Sequence, residues 1–118
     1  MNELEGLMIY KQYLEMIYYM ENITLKYPKS EKLSMVSEIK NLTYRGMRKI
    51  ILANKEYNKG KRLIILNDLD VDLKMVKVMI RISYRKKYIS IRNYHAWSKK
   101  VTNIGNLLGG WIKICLKV

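Results

Sequence analysis

Apolar residues recur along this chain at alternating steps of three and four, the mark of helices that bury one stripe against neighbours. The rhythm is plainest over about 62–86, where Leu66, Leu69, Leu73, Val76, Ile80 and Ser83 follow at spacings of 3, 4, 3, 4 and 3. Over about 91–115, Tyr94, Trp97, Val101, Ile104, Leu108, Trp111 and Cys115 repeat it. A segment over about 31–55 carries apolar or small residues at Val36, Ile39, Thr43, Gly46, Met47 and Ile50. The first segment, about 6–27, is apolar on more than one side, with polar positions mainly at Lys11, Gln12, Glu15, Asn22 and Lys26.

Turn signals separate these segments. Pro28-Lys29-Ser30-Glu31 reads as a turn in which Ser30 caps the second helix and Glu31 complements its dipole. A break is expected within 54–61, with Asn58 and Gly60 as its non-helical points, and a loop near 87–90. Four helices with short connections predict an all-α, antiparallel up-down-up-down four-helix bundle forming a single domain over 1–118. At 118 residues and 49% hydrophobic, the chain has material for one core. The first and third helices offer nearly two apolar stripes each, the second one on the third helix being Ile64, Val71, Met75, Val78 and Ile82. Either these two helices are the more deeply buried, or the surplus serves self-association, which is the reading favoured here.

Charge changes the picture. The chain holds 23 Lys and Arg against 10 Asp and Glu, a formal net charge of +13. Residues 1–72 carry 12 basic and 10 acidic side chains, whereas 73–118 carry 11 basic and none acidic. An AT-rich genome would account for abundant Lys, Ile, Asn and Tyr, but not for this segregation. Such a field attracts polyanions: RNA, DNA or an anionic membrane surface. No apolar run approaches the ~20 residues that a membrane span needs. The N-terminus carries Glu3 and Glu5 where a signal peptide is basic, so a cytoplasmic location is expected.

Lys74, Lys77, Arg81 and Arg85, spaced 3, 4 and 4, are predicted to stack along the face of the third helix opposite its seam. Lys86, Lys87 and Arg92 continue this row, and Arg45, Arg48, Lys49 and Lys55 form a second set on the second helix. Rows of long cationic side chains bind phosphates by releasing counterions, with little regard for base sequence. Helix charges usually form only a solvated face, but no acid after Asp72 offsets the first row, which favours a binding face. Tyr84, Tyr88 and Tyr94 interleave with these cations and are candidates for stacking on unpaired bases.

Groups able to trade protons, attack or hold a metal are sparse. His95, the sole histidine, reads as a half-buried packing or capping residue. Asp68, Asp70 and Asp72 fall at alternate positions, about 200° apart on a helix, and do not converge on one ion. They read as solvent-facing partners for nearby Arg and Lys. Cys115, between Ile114 and Leu116, reads as a buried thiol. Gly109-Gly110 follows no strand and is no nucleotide loop. The reading is therefore a non-enzyme with no catalytic residue, metal, cofactor or small-molecule substrate. A helix-interior glycine costs about 1 kcal/mol, so Gly105, Gly109 and Gly110 need a local reason, such as close approach of another helix or a large side chain. Gly105, Leu108, Gly109, Gly110 and Trp111 thus form a candidate packing or oligomer motif.

Four stretches carry a family likeness: Tyr27-Pro28-Lys29-Ser30-Glu31, Ala53-Asn54, Leu73 to Ile80-Arg81, and Ile104-Gly105-Asn106-Leu107-Leu108-Gly109-Gly110-Trp111. Together they resemble the Avd accessory proteins of diversity-generating retroelements, over nearly the whole chain. The turn is shared with a broader four-helix-bundle group that includes the proteins encoded by intervening sequences of 23S ribosomal RNA genes. The Ile-Gly-x-x-Leu-Gly-Gly-Trp pattern points to Avd. The resemblance implies a ring-shaped homopentamer with a positive surface, partnering a reverse transcriptase and its template RNA or cDNA during mutagenic copying (retrohoming). It implies no active site. The alternatives are an RNA-associated bundle of the ribosomal-RNA-insert type without a polymerase partner, and a structural oligomer whose charge serves solubility.

Overall fold

The computed structural model describes residues 4–117. Among them are four helices, α1 (Leu4–Thr24), α2 (Met35–Lys55), α3 (Lys59–Arg85) and α4 (Ile91–Leu116), with a short 3-10 turn at Lys29–Glu31. Each helix packs on the next in sequence, and α4 returns to α1. Direction reverses at every step: Ser83, late on α3, meets Met35 at the start of α2, while Asp72, earlier on α3, meets Arg45 further along α2. The result is an antiparallel four-helix bundle of 48 × 25 × 19 Å.

The seam of α3 is buried throughout, and so is that of α4 apart from Tyr94, which is partly buried. The second stripe of α3 behaves differently. Ile64, Val71 and Val78 are 66%, 64% and 47% exposed, so the surplus apolar surface of α3 faces outward instead of filling the core. Leu7, Met8 and Tyr18 on α1 are likewise exposed.

Two glycines bring α1 and α2 together. A Cβ at position 46 would lie 2.0 Å from Tyr13 Oη, and one at position 6 would lie 1.9 Å from Asn54 Oδ1. Tyr13 Oη donates to the Thr43 carbonyl at 2.7 Å, and Thr43 Oγ1 donates to the Ile39 carbonyl, which satisfies both buried hydroxyls. Burial, with Asp72 nearby adding to it, pushes the Tyr13 phenol well above its ordinary pKa.

The helix ends differ from the sequence expectation for local reasons. Ser30 does not cap α2. Pro28 opens a tight turn closed by Glu31 N–H to the Pro28 carbonyl and Lys32 N–H to the Lys29 carbonyl, and the α-helix begins only at Met35. Ser34 Oγ there donates to Glu31 Oε1 at 2.6 Å. α1 ends at Thr24, because Tyr27 precedes the proline and is steered away from helical geometry. Asn58 Oδ1 accepts from the Lys61 N–H at 2.9 Å, so α3 starts at Lys59 and Gly60 lies inside it, not in the break. Arg62, 3% exposed, folds back to the end of α2 and donates from Nε to the carbonyls of Ala53 and Glu56, each at 3.0 Å. Ser90 Oγ caps α4 by accepting from the Asn93 N–H.

At one end of the bundle the 25–34 connection holds the α3–α4 loop. Tyr88 Oη donates to Glu31 Oε2 at 2.6 Å, and the Tyr27 and Tyr88 rings lie 5.4 Å apart. Lys87 takes a left-handed φ of 63° to let the chain turn there.

Candidate nucleic-acid interface

The basic row of α3 is exposed but does not stand opposite the seam. At 100° per residue its centre falls roughly a third of a turn from the seam, on the flank next to α4. Lys74 and Lys77 share a hollow with Val101, Thr102 and Gly105 of α4, and Lys77 and Arg81 share the next with Tyr94 and Ser98. The face directed away from the core carries the apolar Val71 and Val78 instead, together with Arg85. The row therefore borders a shallow α3–α4 groove.

Its members differ in freedom. Lys74 pairs with Asp70 one turn away, an exposed contact worth roughly 0–1 kcal/mol. Lys86 Nζ lies 3.7 Å from Glu31. Lys77, Arg81, Arg85, Lys87 and Arg92 are exposed and have no carboxylate partner among the described residues.

The second basic set does not hold together as a surface. Asp72, read from the sequence as solvent-facing, is buried, with 8% of its side chain exposed. It accepts from Lys49 Nζ at 2.5 Å and from Arg45 Nη2 at 3.2 Å. Two of the four cations are thus engaged within the bundle, while Arg48 and Lys55 stay exposed. The exposed apolar stripe of α3 separates this set from the α3–α4 groove.

Of the three tyrosines, Tyr88 is committed to Glu31 and Tyr27. Its hydrogen bond to the carboxylate raises the phenol pKa, and Glu31 is lowered by hydrogen bonds from Ser34 and then Tyr88. Tyr84 and Tyr94 stack with ring centroids 4.8 Å apart and planes inclined by 23°. His95 is exposed rather than half-buried. Its ring lies 5.5 Å from that of Tyr94, because a one-residue step past Tyr94 turns it out of the seam. Lys100, which no spacing argument singled out, stands 5.3 Å over the Tyr19 ring.

In the glycine–tryptophan motif, Leu108 and Trp111 are fully buried. Gly105, Gly109 and Gly110 are different, since a Cβ at any of them would meet nothing within 4 Å. Close packing within the subunit is therefore not what these glycines serve. Cys115 is buried. Among the described residues no three His, Cys, Asp or Glu gather into a metal-binding set, and no helix is long and apolar enough to cross a membrane.

Residues 7–115, spanning all four helices, match the bAvd-like family. The chain belongs to that family. The fold of this bAvd-like protein is similar to the crystal structure of a protein of unknown function from the S23 ribosomal protein family of Bacteroides thetaiotaomicron. The two share 17% identity with a TM-score of 0.84, over 93% of this chain and 99% of the other, a likeness of fold. No curated protein matches the sequence.

Proposed function

We propose that this bAvd-like protein is a non-catalytic, nucleic-acid-binding accessory subunit of a diversity-generating retroelement, acting in the cytoplasm. It binds the element's reverse transcriptase and the template RNA or its cDNA, and supports mutagenic copying by holding polymerase and nucleic acid together. The observation that carries the binding part is the pair Lys77 and Arg81 on the α3–α4 groove, continued by Arg85 at the loop end of α3, all without carboxylate partners among the described residues and in a C-terminal region that holds no acid. The polymerase partnership rests on family membership. The subunits assemble as a ring, with the exposed apolar stripe of α3 available to a second copy.

Two measurements test this. RNA affinity falls steeply with salt, and changing Lys77, Arg81 and Arg85 together to Ala lowers both the affinity and the salt slope, by roughly one unit of slope for each phosphate no longer neutralised. Co-expression with a reverse transcriptase encoded beside it in the genome is expected to yield a stable complex. RNA binding without any polymerase complex favours the ribosomal-RNA-insert type of bundle. Unchanged affinity and slope in the triple variant favour a structural oligomer. Light scattering gives the subunit number.

A further inference from the structure

From the same groove we infer that the bound nucleic acid is single-stranded where it crosses the α3–α4 end of the bundle, with an unpaired base seated against the Tyr84–Tyr94 pair. This rests on the nucleic-acid reading above and adds which form of the polymer the site takes.

The tyrosine pair sits between two basic hollows. On one side Tyr94 shares a hollow of about 350 Å³ with Lys77 and Arg81, and on the other Tyr84 shares one of about 440 Å³ with Arg85 and Lys87. Cations and aromatic rings therefore alternate along one path, the pattern by which proteins hold unpaired strands: phosphates on Lys and Arg, base faces on rings.

The pair is also chemically idle within the subunit. The hydroxyls of Tyr13, Tyr19, Tyr44 and Tyr88 all donate to partners in the bundle. Those of Tyr84 and Tyr94, like those of Tyr10, Tyr18, Tyr27 and Tyr57, donate to none among the described residues, but only Tyr84 and Tyr94 stack in a pair beside the basic groove, with Tyr84 39% exposed. A duplex keeps its base faces stacked on one another and presents only edges and phosphates, so such a pair discriminates for unpaired bases.

The test compares labelled single-stranded RNA with a hairpin duplex of equal length by fluorescence anisotropy on the full chain. The single strand is expected to bind more tightly. Changing Tyr84 and Tyr94 together to Leu removes about tenfold of its affinity, leaving duplex affinity and salt slope unaltered. Ultraviolet cross-linking places the RNA on Tyr84 or Tyr94. Thermal unfolding verifies the fold, and the exposed Tyr84→Ala alone serves if the double variant unfolds. Equal binding of both forms, or an unchanged tyrosine variant, overturns the inference while the nucleic-acid reading stands. Absence of binding to either form removes both. A variant that keeps RNA but loses the polymerase marks the pair as a protein contact and overturns it too.

Discussion

Tyr13 of α1 reaches over Gly46 of α2, where a side chain as small as methyl would fall 2.0 Å from its hydroxyl. The phenol cannot retreat cheaply, since its ring is fully buried and its Oη is fixed to the Thr43 carbonyl. Gly46→Ala gains about 1 kcal/mol of helix propensity but overpacks the α1–α2 contact by more, for a net loss of about 1–2 kcal/mol. Urea unfolding of the two proteins measures it, and a more stable variant would show that α1 and α2 separate freely.

Asp72 supports two cations from a buried position on α3. Asp72→Asn leaves Arg45 and Lys49 without their countercharge. Loss of about 1–2 kcal/mol is expected, below the roughly 3–5 kcal/mol of a fully buried pair because Arg45 is half exposed. The same variant frees two positive charges, so nonspecific RNA affinity at low salt should rise while the unfolding midpoint drops.

Arg62 closes the end of α2 with a planar fork that lysine does not possess. Arg62→Lys is expected to lower stability by about 1–3 kcal/mol, since buried carbonyls lose partners. Amide exchange near Ala53 and Glu56 should quicken in step.

Glu31 gives an acid-side signature. Its pKa in the fold lies below the ordinary 4.5, so its contribution is complete above 4.5 and is lost as pH falls through the lowered value. The melting temperature of Glu31→Gln should therefore lie below the wild type at pH 7 and approach it as pH falls below 4.5. A gap that stays unchanged as the carboxylate is fully protonated would exclude it as the source.

The buried phenols act at the other limit. Burial raises Tyr27 from 10.0 to about 12, and Tyr13 also rises. Their contribution is full below pH 10 and is lost as pH climbs through the raised values. Melting temperature is expected to fall progressively above pH 10, and Tyr27→Phe should flatten part of that fall.

What the sequence disclosed was periodic. The seams of α3 and α4 could be read because a helix repeats its neighbours every three or four residues, whatever packs against them. Facing could not be read so well. Asp72 looks like its surface neighbours Asp68 and Asp70, and only the crossing of α2 over that flank buries it. That Lys74, Lys77 and Arg81 share one flank of α3 is legible from their spacing, yet the turn of that flank towards α4 depends on where α4 lies, which spacing within α3 does not encode. Glycines misled in both directions. Gly46 read as part of a stripe and Gly6 only as the start of a segment, and these two are the tight contacts, whereas Gly105, Gly109 and Gly110 read as tight contacts and face open space.

Those three positions leave a strip of main chain on α4 without side-chain cover, partly buried at Gly105 and Gly109 and exposed at Gly110. At about 1 kcal/mol each they remove roughly 3 kcal/mol from a fold whose whole margin is of order 5–15 kcal/mol. Alanine at each would thus harden the isolated subunit. A sequence that tolerates so thin a reserve on its last helix is most resistant to heat and proteases when something else covers that strip.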